Sequence, residues 1–239
     1  MKNLMVYISK DKCFNEEYGL LIKVQIDNSL DLGWKPYDIL LVTNFDYEYH
    51  GVKSIVVGDE HFCACRPRSI KTSIIPFLID GGLIEKNEWY WNHDIDAFQM
   101  NVFDDVMGIL KGKDLGLTDY GWRERWCLGS YFFKDTAKDI FEYTKPHIFN
   151  NIEDETAMMM LTDNDEEIYT RIVRMNVTYN FGQRNVVSNY EKAIKPIKVV
   201  HFHPNRSLIL DIFMYGKSNL KMPIMSKRLI NIFKLHGIQ

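Results

Sequence analysis

The strongest constraint on the fold is an alternation of short apolar runs with amphipathic stretches that continues through about residue 145. Residues 4–9 (LMVYIS), 38–43 (DILLVT) and 52–57 (VKSIVV) read as buried strands. Between the first two, Phe14, Tyr18, Leu21, Ile22, Val24, Ile26 and Leu30 recur at mostly helical spacing, and Gly33 is a stop. Pro67 opens a helix through about residue 79, ended by Gly81-Gly82. Further strands are expected at 89–92, 114–118, 128–133, 175–179 and 197–201. Helices are expected at 103–110, at 135–143 with Asp135 as cap, and at 153–161. Strand and helix taking turns in this way describe an α/β chain with a central, mostly parallel mixed sheet flanked by helices. Residues 1–205 are expected to form one such domain, and 206–239 a small helical extension packed on it.

Charge is unevenly spread. The chain has a formal net charge of −3, but residues 206–239 hold six basic residues and one acidic residue. A basic tail on an acidic body suggests an anionic partner there. The four cysteines include only one close pair, Cys63 and Cys65, and free thiols in a reducing compartment are expected. The first residues carry too short an apolar run for a signal peptide, and no run is long enough to span a membrane, so a cytoplasmic location is expected. No P-loop, dinucleotide fingerprint or G-x-S-x-G elbow is present.

The chemistry centres on WYWNHDIDAFQMN, residues 89–101. Asp94 and Asp96 follow an apolar run, at the end of an expected strand, where open α/β sheets bind ligands. Residues i and i+2 of a strand share a side, about 6.5–7 Å apart. Two adjacent carboxylates in such a place need a counter-charge, and a shared Mn²⁺ or Mg²⁺ supplies one. In IKVVHFHP, residues 197–204, His201 and His203 alternate onto one strand face and are candidate ligands of the same ion.

An N-terminal strand–helix–strand, a basic helix, a hydrophobic strand ending in D-x-D and a late VVHF strand together resemble a GT-A-type nucleotide-sugar glycosyltransferase, with a layout nearest to family 8 enzymes. The likeness runs from about residue 4 to 204. The resemblance implies a metal-dependent transfer from a nucleotide sugar, a UDP-sugar, to a hydroxyl acceptor. It places Asp96 and His201 on Mn²⁺, with Asp94 on the sugar or ribose and the metal. Tyr7, Ser9, Lys10 and Asn44 would line the nucleotide, and Arg68 and Lys71 would approach its ribose or diphosphate. Asp154 or Glu155 would take the acceptor's proton if the enzyme inverts. Trp122, Trp126 and Ser130 would line the acceptor site.

The acceptor is a glycan or, given the basic tail, a hydroxymethylated DNA base. Two alternatives compete: a sugar-nucleotide nucleotidyltransferase using the same metal pair, and a non-catalytic nucleic-acid-binding module.

Overall fold

The structure is a computed structural model in which residues 1–121, 125–182, 186–202 and 225–238 are described. Eight strands form one sheet in the order β3-β4-β2-β1-β5-β8-β7-β9. They are β1 (Lys2–Tyr7), β2 (Ile39–Thr43), β3 (Glu48–Tyr49), β4 (Val52–Val56), β5 (Tyr90–His93), β7 (Leu115–Asp119), β8 (Trp126–Phe133) and β9 (Ile172–Met175). β1 pairs in parallel with β2 and β5, and β2 with β4. β8 then reverses the direction by pairing antiparallel with both β5 and β7. A separate two-stranded ribbon joins β6 (Ala97–Gln99) to β10 (Val199–His201).

The first helix shows how local signals set the frame. In α1 (Glu16–Asp31), Asn15 caps the N-terminus by accepting from the Tyr18 N–H at 2.8 Å, and Glu16 and Glu17 face the helix dipole. Its apolar stripe, including Ile22, Val24 and Ile26, is fully buried. The chain then turns at Gly33, whose φ of +94° suits a residue without a side chain. β8 is buried along its whole length, as expected of a central strand covered on both faces.

Three expected elements differ. The helix from Pro67 is broken into a 3₁₀ turn (Pro67–Ser69), α2 (Ile70–Ser73) and α3 (Ile75–Asp80). Pro76 has no N–H to continue the ladder, so the helix restarts there. The break lets α2 bury all four of its residues, Lys71 among them. The strand expected at 175–179 instead spans Ile172–Met175, and a 3₁₀ turn follows at Val177–Tyr179. Asn176 causes this by accepting the Thr178 N–H at 3.0 Å in its side chain, a local turn that outcompetes the ladder. Asp135 does not cap its helix. It accepts from the Asn87 N–H at 2.8 Å, and a 3₁₀ turn leads into α5 (Lys138–Phe149).

The remaining helices are α4 (Val106–Ile109), α6 (Asp154–Asn164), α7 (Glu166–Thr170), α8 (Val186–Lys192) and α9 (Lys227–Leu235). Leu229 and Phe233 of α9 are buried in the cluster that also holds Ile22 and Ile26 of α1. Among the described residues, no helix is long and apolar enough to cross a membrane.

Candidate active site

β5 stops at His93, so Asp94 and Asp96 lie past its end and not on the strand. Ala97 N–H donates to the Asp94 carbonyl at 2.9 Å, closing a tight turn between β5 and β6. The strand-geometry argument for their proximity therefore does not apply; the turn brings them together instead. Asp94 N–H donates to the Gly129 carbonyl at 2.9 Å, which ties this turn to β8.

The third member arrives through the ribbon. His201 of β10 pairs with Ala97, and the Phe202 N–H donates to the Asp96 carbonyl at 3.0 Å. One ligand atom from each of Asp94, Asp96 and His201 lies within 4.8 Å of the others. His201 Nε2 is 3.4 Å from Asp94 Oδ2 and 3.5 Å from Asp96 Oδ1. Its other nitrogen, Nδ1, faces Asn180 Oδ1 at 3.0 Å, and Asn180 Nδ2 donates to Thr118 Oγ1 at 3.0 Å. That chain presents the Asn180 oxygen to the imidazole and aims Nε2 at the two carboxylates. The ring also needs Gly129. A Cβ there would lie 2.1 Å from His201 Cε1 and 2.3 Å from Nδ1.

Lys71 and His201 both face the acids. Lys71 Nζ forms an ion pair with Asp94 Oδ1. Burial pushes the Asp94 carboxyl up, but Lys71 and His201 override it and hold it well below the usual range. Burial alone would lower Lys71, yet the charges of Asp94 and Asp154 raise it. His201 likewise would fall on burial, but its contacts with Asp94 and Asp96 hold it well above the ordinary imidazole value.

The donor set fits a hard divalent ion: two carboxylates and an oriented imidazole with its far nitrogen fixed by an amide.

Two cavities meet at this cluster. The larger, about 580 Å³, is lined by Tyr7, Ser9, Lys10, Arg68, Lys71 and Asp94, with Asp96 at its floor. Asn44 stands behind this wall. It accepts from the Ser9 N–H at 3.1 Å and donates to the Ser9 carbonyl at 2.8 Å and to Asp59 at 2.9 Å, so it shapes the loop after β1. The smaller cavity, about 370 Å³, is lined by Lys71, Asp94 and His201 on one side and by Tyr120, Asp154 and Glu155 on the other.

The two acidic residues there differ sharply. Asp154 is 7% exposed and accepts from the Ser69 and Thr72 hydroxyls at 3.0 and 2.8 Å, which fastens α6 to α2. Glu155 receives the Tyr120 hydroxyl at 2.6 and 2.7 Å and the Leu128 N–H at 3.3 Å. Burial raises its carboxyl above the ordinary value, and the Tyr120 hydrogen bond only partly opposes this.

Of the residues expected at the acceptor side, Trp126 and Ser130 line neither of these two cavities. Ser130 is fully buried, and its hydroxyl accepts from Trp91 Nε1 at 2.8 Å. Trp126 packs farther along α6, where its Nε1 donates to Thr162 Oγ1 at 3.0 Å. Trp122 and His203 lie outside the described residues. Tyr120, Asn180 and Gly129 carry the site's geometry without standing out in the sequence; only a map of what packs on the histidine and Glu155 reveals them.

No family model matches the sequence. No curated protein matches it either. Solved structures do. The galactosyltransferase LgtC, in complex with donor and acceptor sugar analogues, aligns with a TM-score of 0.62 at 12% identity, covering 99% of this chain and 95% of that one. A glycosyltransferase involved in glycosylating the major capsid of PBCV-1 aligns with a TM-score of 0.55 at 11% identity, covering 90% of this chain and all (100%) of that one. Mouse xyloside xylosyltransferase 1 aligns at 0.50 and 13% identity, covering 86% and 98%. The chain therefore has the GT-A glycosyltransferase fold, and it carries an Asp-x-Asp group joined by a histidine.

Proposed function

We propose that the protein transfers a sugar from a UDP-sugar to a hydroxyl of a glycan, with Mn²⁺ held by Asp94, Asp96 and His201. The observation that carries this is the convergence of those three ligand atoms, within 4.8 Å of one another, at the junction of two cavities. A divalent ion bound there would stabilise charge developing on the diphosphate as it leaves.

The chain's own residues supply the rest. The larger cavity takes the donor: Tyr7, Ser9 and Lys10 border the nucleoside end, and Arg68 and Lys71 lie where the diphosphate's charge would fall. Lys71 has a second task, since its pair with Asp94 keeps that carboxylate ionised and oriented. The smaller cavity takes the acceptor. For an inverting transfer Glu155, with a raised carboxyl, is suited to receive a proton from the attacking hydroxyl. Asp154, which is buried and accepts from Ser69 and Thr72, fastens that helix end to α2 and is the positioning residue of the pair.

We take a glycan as the acceptor; of the tail's described basic residues Arg228 pairs with Asp31 at 3.0 Å while Lys227 and Lys234 are exposed, and product analysis distinguishes a glycan from a hydroxymethylated DNA base.

The test is a thermal-shift and isothermal-titration screen of UDP-, GDP- and CMP-sugars, with and without Mn²⁺, followed by product analysis. A Mn²⁺-dependent response to a UDP-sugar and release of UDP are expected, with Asp96→Ala folded but inactive. Pyrophosphate release would replace this mechanism with nucleotidyl transfer. Full activity in Asp96→Ala would end the metal assignment.

A further inference from the structure

Trp126 lines a third cavity, about 350 Å³, bordered by β8, α6, α7 and β9. Its walls are Trp126, Thr162, Asp163, Glu166, Tyr169 and Arg174, with Met159 beneath. The Tyr169 ring is 45% exposed, its centroid 6.4 Å from that of Trp126. The Arg174 guanidinium lies 4.2 Å over the Trp126 ring and is pinned by Asp119 at 2.8 Å. Asp163 and Glu166 are exposed and make no ion pair among the described residues.

The chemistry of this lining selects its ligand. An apolar molecule would leave two carboxylates without partners, since the Arg174 guanidinium is already paired with Asp119. An anion would meet Asp163 and Glu166, whose charges no described cation offsets, while Arg174 is offset by Asp119. A neutral ring with an apolar face and hydroxyls around its edge satisfies all of them. Its C–H face covers Tyr169, its hydroxyls donate to the carboxylates, and its oxygens accept from Arg174.

The cavity is also wired to the reaction cleft. Glu155, Met159 and Thr162 lie at i, i+4 and i+7 on one stripe of α6, the first in the acceptor cavity and the other two here. At 1.5 Å per residue the stripe spans about 10 Å, the reach of a short oligosaccharide and not of one ring. Asp119 and Tyr120, neighbours in sequence, hold Arg174 and Glu155 respectively.

We infer that this cavity is a distal subsite for a neutral oligosaccharide acceptor, seating a sugar unit remote from the one that reacts. The inference rests on the transferase reading for its purpose, but its binding test does not need turnover. Saturation-transfer NMR of the full chain with a panel of short neutral oligosaccharides, and their methyl monosaccharides, reads the contact directly. The expected result is that at least one oligosaccharide binds more tightly than its monosaccharide. Tyr169→Ala and Glu166→Ala should each weaken it about tenfold, the equivalent of one lost stack or charged hydrogen bond. Asp96→Ala should leave it bound. If no oligosaccharide binds, or if both variants bind as the parent does, the subsite is refuted. A failure of Mn²⁺ and UDP-sugar to bind would refute the proposed activity and leave this result separately readable.

Discussion

Replacing Gly129 by alanine tests the proposed metal site without touching a proposed ligand. Gly129 lies in an ordinary strand, so the backbone accepts a side chain; the difficulty is space. The new Cβ would sit 2.1 Å from His201 Cε1, 2.3 Å from Nδ1 and 3.1 Å from Nε2. Real carbon contacts do not go below about 3 Å, so the ring must retreat by about 1 Å. It cannot swing freely, because Asn180 holds Nδ1 and the residue is 4% exposed. Overpacking of this kind costs about 1–3 kcal/mol of stability. Displacing a ligand or its support by that distance costs about 10–100-fold in metal affinity. Mn²⁺ affinity should be measured by calorimetry or electron paramagnetic resonance well below the melting temperature, where the variant is folded. A double-mutant cycle with His201→Ala then isolates the cause. Once the ring is gone, the added methyl group has nothing to displace, so the two effects on Mn²⁺ affinity must be strongly non-additive. Unchanged affinity in Gly129→Ala, or additive losses in the cycle, would refute the idea that this glycine exists to seat the histidine.

The other expectations are shorter. Lys71→Met strands the Asp94 charge, which is 29% exposed, so the loss should be about 2–3 kcal/mol, less than for a fully buried pair. Saturating Mn²⁺ should recover part of it, and urea melts with and without the ion read this. Glu155→Gln should lower kcat by about 10²–10⁴-fold with the melting temperature unchanged. In the parent, activity should rise with pH through the raised Glu155 value, so the acid limb lies above the usual carboxylate range and disappears in the glutamine variant; a full-rate variant would remove Glu155 from the chemistry. For Asp114, burial pushes up but Thr136, Arg171 and Lys134 hold it below the usual value. Its contribution is therefore present above the unfolded carboxylate value of about 3.9 and is lost as pH falls through the lower folded value. Denaturation midpoints for Asp114→Asn should be lower than the parent's at neutral pH and converge with them in acid.

Where local pattern and tertiary context agree, the sequence is readable. The apolar runs that became β1, β2 and β4 and the stripe of α1 are examples, because each buries a continuous face that only one period satisfies. Asp94, Asp96 and His201 stood out because charged or titratable groups next to apolar runs demand compensation. The departures have local causes of another kind. Pro76 breaks a helix whose apolar pattern continues across it, and Asn176 turns a chain whose composition favours a strand. Side-chain direction was harder still. Ser130 and Trp126 lie on one strand near the site, yet one is sealed against Trp91 and the other faces Thr162. β7 and β8 shift register between Leu117 and Thr118, so simple alternation does not carry orientation through to this end of the pair. The resemblance places Lys71 near the donor's ribose or diphosphate; its partner Asp94 is 23 residues away and is visible only in three dimensions.

The ribbon of β6 and β10 explains why a short turn and a distant histidine act as one site. Two registers must hold together. His201 opposite Ala97 sets the histidine beside the turn, and Asp94 bonded to Gly129 sets the turn against β8. Gln25 and Asn28 of α1 lock the ribbon from behind: Gln25 Nε2 donates to the carbonyls of Ile95 and Ala97 at 2.9 and 2.8 Å, and Asn28 Nδ2 to that of Gln99 at 2.9 Å. These are buried amides bonded to main chain, so losing one strands a carbonyl in the core at a cost of about 1–3 kcal/mol. α1 also packs against β6 and α9, which joins the cluster's geometry to the last described helix of the chain. A site assembled from a turn, a ribbon and a helix in this way depends on long-range contacts more than on any one motif. Contacts of this kind specify a fold without fixing many residue identities, in keeping with a fold likeness at 11–13% identity.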